Sequence, residues 1–370
     1  MKKLLYFVTE DWYFVSHRLS LALAAQKSGY EVIVATRCRK HRHILTESGF
    51  TVISFETSRQ SLNPFTLLAE SIRLAKLYKT VNPTIVHHVA LRPVIVGAIA
   101  ARLAGVGHVI SALTGMGFLF VAGKQVSIAR RLLNWLFPKL LNRGLIIVQN
   151  ADDKDLLIDS GVALNKVRLI PGSGVDTEHF TTQAVVSQTR PLVIMMASRL
   201  LWDKGVGEFV AAARLLRSPQ LRFVLVGLPD PGNPATVSMT DLNDWLAEGV
   251  VEHWGHQSDM RTVLHKADIV CLPSYREGLP KILLEAMACG LPCITTDVPG
   301  CRAAVRHDEN GLLVPVKDVG ALASAMTVLA RQPEMRLRLG RQGRTMALNE
   351  FDQNHIIRAT LEAYQQLLST

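Results

Sequence analysis

The sequence predicts an α/β fold with two Rossmann-like, doubly wound parallel sheets whose domains face a cleft. Short aliphatic runs alternate with segments of helical periodicity along the whole chain, which is typical of βα units. The length of 370 residues suits two domains better than one. Each set of predicted strands is large enough to make its own sheet, with ligands expected at the carboxyl ends of the strands.

Aliphatic or β-branched runs mark the predicted strands. In the first half they are 3–8, 31–36, 51–55, 84–88, 108–112, 145–149 and 167–171. In the second half they are 192–197, 221–227, 269–273, 292–296 and 311–314. A polar stretch without helical periodicity separates the two sets. We therefore predict domains at 1–175 and 192–348, joined by a linker at 176–191.

Composition excludes several classes of protein. With 48% hydrophobic and 19% charged residues, the chain does not resemble a disordered protein. The five cysteines include no C-x2-C pair, so neither a disulfide framework nor a zinc site is predicted, and a reduced cytosol is the expected compartment. No side-chain cluster has metal-ligand spacing, and we predict neither a metal nor a cofactor. The apolar stretch 103–123 contains five glycines and is predicted as a strand and loop rather than a membrane span.

The net charge of +10 lies entirely in residues 1–180. Between Glu70 and Asp152 there is no acidic residue, whereas ten basic residues occur there. This imbalance indicates an anionic partner: nucleic acid, an acidic membrane surface or a phosphorylated substrate. Scattered, solvated charge is the alternative. No recognised nucleic-acid-binding module is present, and we predict no nucleic-acid partner.

The segment P-S-Y-R-E-G-L-P-K-I-L-L-E-A-M-A-C-G-L-P at 273–292 is the most informative motif. Glu277 lies in a loop after an apolar strand, and Glu285 lies eight residues later in the following helix. Carboxylates at these two places can reach one ligand at the helix mouth. Backbone N–H groups near Gly278 and Leu279 favour an anionic or hydroxyl-rich ligand.

A second motif, A-S-R-L-L-W-D-K-G at 197–205, places two cations at one sheet edge. Arg199 ends a predicted strand and Lys204 opens the next helix. Arginine offers a planar fork and lysine a point charge, so the pair suits a diphosphate. Surface capping of a βα turn is the alternative.

These two motifs, with I-P-G-S-G-V-D-T-E-H-F at 170–180, resemble the retaining glycosyltransferases of family 4, which have the GT-B fold. The segments D-W-Y-F-V-S-H-R, I-V-H-H-V-A-L-R-P and T-G-M-G-F look like the branch that builds glycans on undecaprenyl diphosphate. The resemblance spans nearly the whole chain. It also implies that the helix at 349–370 crosses back to the first domain.

The resemblance implies roles for the second-half residues. Arg199 and Lys204 would neutralise the diphosphate of a UDP-sugar donor, and Glu285 would hold its ribose hydroxyls. Glu277 would face the donor sugar. The remaining donor-side positions are main-chain groups near the sugar or the loop that reads the base: Gly278, Leu279, His256 and Gln257.

The first half departs from the family pattern. Many members have a Gly-Gly loop after the first strand, where this chain has T-E-D-W-Y-F-V-S-H-R, and Thr114-Gly115 stands where a histidine is common. We predict His17, His88, Thr114 and Gly115 as acceptor-side residues. His88 is the favoured catalytic histidine, because Arg92 follows one helical turn later and could take an acceptor phosphate. A structural role is the alternative for each histidine.

The segment 126–143 combines aromatic and leucine side chains with four cations and no acid, as an interfacial helix does. Pro138 should kink it, so a buried crossover helix is the alternative. The predicted membrane contacts are Arg130, Arg131, Trp135, Lys139 and Arg143. The D-x-D at Asp153 is predicted as helix-start charge rather than a metal site.

From sequence, the predicted function is retaining, metal-independent transfer of a sugar, GalNAc, GlcNAc or another hexose, from a UDP-sugar to an undecaprenyl-diphosphate-linked saccharide. Such a reaction belongs to bacterial surface polysaccharide synthesis, O antigen included, on the cytoplasmic face of the inner membrane. The alternatives are a UDP-sugar 2-epimerase of the same fold and a non-catalytic membrane scaffold.

Overall fold

The computed structural model describes residues 1–57, 63–116, 138–183 and 190–369. The chain divides into two compact units, the first comprising Met1–Ser173 with Ile356–Thr370 and the second Gly174–His355. A parallel sheet of seven strands lies in the first unit and one of six strands in the second. The predicted pair of doubly wound α/β sheets is confirmed.

The first sheet has the strand order β3-β2-β1-β4-β5-β6-β7. Its central strands are buried on both faces, which explains their nearly continuous apolar sequences. All seven strands predicted in this half are present with small shifts at their ends. Their bounds are β1 Lys2–Glu10, β2 Tyr30–Arg37, β3 Thr51–Ser54, β4 Ile85–Val89, β5 Val109–Ala112, β6 Leu145–Val148 and β7 Val167–Leu169.

Helices connect these strands and begin or end at recognisable signals. The longest, α4, starts after Asn63, whose side chain accepts a hydrogen bond from Phe65 N, and ends at Asn82 in the left-handed conformation. Before residue 174, the helices in the described ranges are α1 Asp11–His17, α2 Leu19–Lys27, α3 Arg42–Glu47, α4 Pro64–Val81, α5 Leu91–Ala104 and α6 Ala151–Asp159.

The C-terminal helix adds to the core of the first unit. From Ile356 onward its residues belong to that unit. The hydroxyl of Tyr364 lies 2.9 Å from the hydroxyl of Tyr6 on β1 and 2.7 Å from Nδ1 of His87 on β4. These buried hydrogen bonds fix the register of the helix against the sheet.

The second sheet has the order β10-β9-β8-β11-β12-β13. Five of its strands match the predictions, and the two-residue strand β10 was not predicted. Its strands are β8 Leu192–Ala197, β9 Leu221–Val226, β10 Glu252–His253, β11 Ile269–Leu272, β12 Cys293–Thr296 and β13 Gly311–Val314. The helices that follow are α7 Val206–Leu215, α8 Met239–Ala247, α9 Met260–Leu264, α10 Lys281–Ala288, α11 Pro299–Ala304, α12 Val319–Arg331, α13 Pro333–Glu350 and α14 Gln353–Ser369.

The strand order creates a switch point in the second sheet. From β8 the chain moves outward to β9 and β10, whereas from β11 it moves in the opposite direction to β12 and β13. The connections that leave the adjacent strands β8 and β11 therefore diverge at their carboxyl ends. In open α/β sheets a crevice forms at this point, and ligands bind there.

The start of the predicted linker packs against the second unit. Val175 N donates to Phe351 O at 2.8 Å, and the hydroxyl of Thr177 donates to the Asp352 carboxylate. Arg344 donates to the carbonyl oxygen of Phe180 at 2.7 Å. These hydrogen bonds hold residues 174–180 to the second unit, which begins at Gly174.

Membrane-related predictions fall partly outside the described residues. Within the described ranges, no helix combines the length and apolarity needed to cross a bilayer. The interfacial segment 126–143 lies mostly outside them, as do three predicted contacts, Arg130, Arg131 and Trp135. Lys139 and Arg143 are described, and both are exposed.

Candidate active site

The switch point of the second sheet holds an ion pair between two predicted site residues. Lys204 ends a short 3-10 turn after β8, and Glu277 lies in the loop after β11. Their side chains form an ion pair, with 21% of Lys204 and 11% of Glu277 exposed. A cation and a carboxylate therefore stand together at the edge where the crevice forms.

Close packing of two loops brings this pair together. Gly205 has φ +77°, and a Cβ there would lie 2.1 Å from the carbonyl oxygen of Pro273. Tyr275 N donates to Asp203 O at 2.9 Å, and the Tyr275 hydroxyl donates to Glu208 at 2.6 Å. Only glycine permits this approach, so the backbone itself sets the distance between the two loops.

Arg199 lies at the same sheet edge with a carboxylate partner of its own. Its guanidinium contacts Asp230, which follows β9, at 2.7 Å. The two predicted cations thus both follow β8, but each faces a different acid. An anionic ligand would share these cations with Asp230 and Glu277. Sequence reasoning missed Asp230, because its proximity depends on the pairing of β8 with β9.

Glu285 is a buried carboxylate on α10. Only 7% of the residue is exposed, and Lys281, one turn earlier, contacts it at 3.3 Å. Burial raises the pKa of Glu285, while the charges of Lys281 and His179 act in the opposite direction. A carboxylate held this way can accept hydrogen bonds from ligand hydroxyl groups. Neither Lys281 nor His179 was among the predicted site residues.

The loop between β11 and α10 rests on the start of α11. A Cβ at Gly300 would lie 2.4 Å from the carbonyl oxygen of Glu277 and 2.5 Å from that of Gly278. Gly278 is buried, and Leu279 packs against the core of the second unit. Helix α11 therefore packs against the main chain at Glu277 and Gly278, beside the ion pair.

The predicted base-reading loop follows β10. Gly255 has φ +65°, and its carbonyl oxygen accepts a hydrogen bond from Gly227 N at 2.8 Å, which ties the loop to the end of β9. His256 is exposed, whereas the Gln257 amide donates to Trp254 O. This loop presents His256 to solvent at the same carboxyl edge of the sheet.

The structure places His88 in the interior of the first unit. The imidazole is fully buried, its Nε2 lies 3.0 Å from the hydroxyl of Tyr78, and a Cβ at Gly97 would lie 2.4 Å from the ring. Burial lowers the pKa of His88 to about 3. His88 is therefore a neutral core residue, because strand β4 is covered on both faces.

Arg92 is also part of the interior. It forms a buried ion pair with Glu70 at 2.9 Å, and the hydroxyl of Thr57 donates to the same carboxylate at 2.7 Å. Its charge is therefore balanced by an internal acid. His17 is half-buried and stacks on Tyr13, with ring centroids 4.3 Å apart.

Thr114 and Gly115 lie in the loop after β5, at the carboxyl edge of the first sheet. The loop is held by Asp153, whose carboxylate accepts hydrogen bonds from Met116 N at 3.3 Å and from the Asn150 amide at 3.0 Å. Burial raises the pKa of Asp153 to about 6. Asp153 thus anchors a loop, and no group of potential metal ligands occurs among the described residues.

Two family models match the chain one after the other. Residues 3–150 match the family described as Glycosyl transferase 4-like, and residues 179–346 match Glycosyl transferases group 1. Solved structures share the fold over the whole chain. HepE from Anabaena superposes with a TM-score of 0.80 at 18% identity, covering 99% of this chain and 100% of that chain. Sucrose-phosphate synthase from Thermosynechococcus elongatus gives 0.79 at 20% identity, with 100% of both chains covered.

Together with the two Rossmann-like units, these matches show that the chain belongs to the glycosyltransferases of the GT-B type. Curated relatives agree with the predicted branch. The chain is 29% identical over 366 residues to the N,N'-diacetylbacillosaminyl-diphospho-undecaprenol alpha-1,3-N-acetylgalactosaminyltransferase of Campylobacter jejuni, with 95% of both proteins covered. It is also 29% identical over 225 residues to the UDP-Gal:alpha-D-GlcNAc-diphosphoundecaprenol alpha-1,3-galactosyltransferase of Escherichia coli, covering 56% of this chain and 57% of that protein.

Proposed function

We propose that this glycosyltransferase moves a hexose, with retention, from a UDP-sugar to an undecaprenyl-diphosphate-linked saccharide during bacterial surface polysaccharide synthesis. The observation that carries the proposal is the cluster of Arg199, Lys204 and Glu277 at the switch point of the second sheet. The names of the Campylobacter and Escherichia relatives, both of which include a diphosphoundecaprenol acceptor, support the acceptor class.

The cations would act on the leaving group. As the bond between sugar and phosphate breaks, negative charge develops on the diphosphate. Arg199 and Lys204 follow the same strand and would stabilise this charge while sharing it with their partners Asp230 and Glu277. They supply the positive charge that a divalent cation would otherwise supply, so the proposed reaction does not require a metal. Transfer should proceed unchanged in the presence of a chelator.

The two glutamates would orient the donor. Glu277 is paired with Lys204, and its backbone packs against Gly300. It would position the donor sugar rather than attack it. Glu285 would accept hydrogen bonds from the ribose hydroxyls. With the donor fixed, the acceptor hydroxyl would attack from the side of the departing diphosphate and pass its proton to a phosphate oxygen, which gives retention.

A uracil base and a cytoplasmic membrane surface complete the proposal. The loop at 255–257 lies next to the end of β9, where its backbone could read a base. The Escherichia relative carries UDP-Gal in its name.

Because UDP-sugars are cytoplasmic metabolites and the proposed acceptor is a membrane lipid, we place the protein on the cytoplasmic face of the inner membrane.

A donor panel tests this function. Purified protein is incubated with a short-chain polyprenyl-diphosphate monosaccharide and, separately, UDP-GalNAc, UDP-GlcNAc, UDP-Gal, UDP-Glc or GDP-mannose, and the products are analysed by mass spectrometry. We expect the lipid to gain one hexose or N-acetylhexosamine from a UDP-sugar. Conversion of a UDP-sugar to its 2-epimer without acceptor would instead identify an epimerase, and no reaction with any donor would contradict catalysis.

Replacing Glu285 with glutamine should mainly raise the donor KM. A hydrogen bond from a ribose hydroxyl to a charged acceptor contributes about 1.5–3 kcal/mol in both ground and transition states, so a KM increase of roughly 10- to 100-fold is expected. Steady-state kinetics would measure the donor KM of this variant. The control is Glu362→Gln, at an exposed position on α14. A normal KM with a large loss of kcat would assign the ribose contact elsewhere.

Replacing Gly300 with alanine should lower activity without contact with substrate. The new Cβ would overlap the carbonyl oxygens of Glu277 and Gly278 and displace their loop. A displacement of this kind can cost up to about 10²-fold in rate. The control is Gly320→Ala, where a Cβ would meet only the Asp318 carboxylate at 3.5 Å. Equal turnover of the two variants, below their melting temperatures, would contradict this role of α11.

A further inference from the structure

The outer face of α4 exposes large apolar side chains to solvent. Phe65 is 83% exposed, Leu68 51% and Ile72 44%. Their spacing of three and four residues places them on one side of the helix. The opposite side carries Leu74 and Tyr78, which are buried in the core. The stripe is thus additional to the face that the fold itself requires.

The same side of α4 continues into two lysines. At ~100° per residue, Lys79 projects between Leu68 and Ile72, and Lys76 projects about 20° beyond Phe65. Both lysines are exposed. This side of α4 is therefore apolar in the first half of the helix and basic in the second half. We call these five residues the α4 face.

Acidic groups near the α4 face are occupied elsewhere. The only acid on α4, Glu70, is buried and paired with Arg92. Glu56, in the loop before α4, contacts Arg37 at 3.5 Å and Arg39 at 3.4 Å. Arg73 adds a further cation at the border of the face, with its guanidinium 5.0 Å from the ring centre of Phe55. Among the described residues, these two acids are therefore paired with arginines rather than with Lys76 or Lys79.

We propose that the α4 face docks the first unit on an anionic lipid bilayer. A helix with an exposed aromatic and aliphatic stripe and lysines beside it matches a helix that lies in the membrane interface. The apolar side chains would enter the acyl boundary, and Lys76 and Lys79 would extend their stems along it and place their ammonium groups among lipid phosphates. This inference rests on the proposed function, because the acceptor would then lie in the same bilayer.

Vesicle sedimentation tests the docking directly. The full chain is mixed with phosphatidylglycerol-containing or pure phosphatidylcholine vesicles at low and physiological salt. We expect binding to the anionic vesicles, a roughly hundredfold loss of partition in Phe65→Ser/Leu68→Ser/Ile72→Ser, and a loss of roughly tenfold or more in Lys76→Gln/Lys79→Gln. Raising the salt should weaken binding of the wild type more than binding of the lysine variant.

Matched controls separate the α4 face from general apolarity and charge. Met239→Ser/Leu215→Ser/Leu246→Ser removes three exposed apolar side chains from the second unit, and Lys27→Gln/Lys40→Gln removes two exposed charges from the first. Both should bind vesicles like the wild type. Equal losses in controls and α4 variants would overturn the proposal, as would wild-type binding by both α4 variants.

A soluble readout distinguishes this inference from the proposed function. All variants should keep the wild-type melting temperature and transfer sugar to a water-soluble, short-chain acceptor at the wild-type rate. Transfer by a wild-type protein that fails to bind anionic vesicles would overturn the docking surface and leave the proposed function intact. Vesicle binding without any transfer would overturn the proposed function and leave the surface intact.

Discussion

Replacing Lys204 with alanine is expected to lower kcat by roughly 10²-fold or more at saturating donor. Its ammonium group stands at the switch point where the leaving diphosphate would gain charge, and losing one such preorganised donor has an effect of this size. The substitution also leaves Glu277, only 11% exposed, without its cation. The loss of the ammonium charge and the unpaired Glu277 carboxylate both destabilise the negative charge that develops on the leaving diphosphate.

A double-mutant cycle separates these two consequences. Glu277→Gln alone should disturb sugar orientation, while Lys204→Ala/Glu277→Gln removes the pair without leaving an uncompensated carboxylate. We expect the double variant to remain at least about 10²-fold slower than the wild type, because the charge on the diphosphate is still unstabilised. Lys27→Ala, at an exposed position on α2 of the first unit, is the control for loss of a lysine. Wild-type kcat in Lys204→Ala would contradict the proposed role.

Acidification below pH 6.5 is expected to destabilise the protein through His88. Its pKa is about 3 in the fold, whereas an unfolded chain protonates histidine near pH 6.5. Between these values the unfolded state binds a proton that the native state excludes, so the free energy of unfolding falls as the pH falls, by up to about 1.4 kcal/mol per pH unit. Burial also lowers the pKa of His87, which adds to the effect.

Urea unfolding at pH 7, 6 and 5 measures this dependence. His88→Gln retains an amide that can bond to Tyr78 but cannot take up a proton, so its free energy of unfolding should fall less steeply with acid than that of the wild type. His307→Gln, at an exposed position, should follow the wild-type slope. Parallel slopes for His88→Gln and the wild type would show that the imidazole can be protonated within the fold.

Much of the fold could be predicted because parallel strands buried on both faces leave continuous apolar runs. The runs L-V-I-M-M-A and I-V-C-L became β8 and β11 with little change at their ends. Strand β10 was missed because two residues, Glu252 and His253, carry no periodicity. The packing of 174–180 on the second unit depends on contacts with residues near 344–352, which sequence distance conceals.

The candidate site was predictable where chemistry and position in the chain coincide. Lys204 and Glu277 follow apolar strands directly, so their place at a sheet edge could be foreseen. Their mutual contact, and that of Arg199 with Asp230, depend on which strands are neighbours. Local spacing does not contain that information.

The spacing of His88 and Arg92 in the sequence does not predict that both side chains are buried. His88 and Arg92 are separated by about one helical turn, but a strand end and a helix start lie between them. The burial of these histidines could have been predicted from the strand I-V-H-H-V itself. Two adjacent histidines in a strand point to opposite faces, and a central strand of a doubly wound sheet is covered on both.

The anomeric configuration of the transferred sugar tests the central claim most directly. The protein is incubated with a ¹³C-labelled UDP-α-hexose, chosen from the donor panel, and the short-chain lipid-diphosphate acceptor. The anomeric configuration of the new glycosidic linkage in the product is then determined by NMR. The account predicts an elongated lipid-linked saccharide with an α-linked new sugar, because attack occurs from the side of the departing diphosphate held by Arg199 and Lys204. A β-linked product would contradict that account.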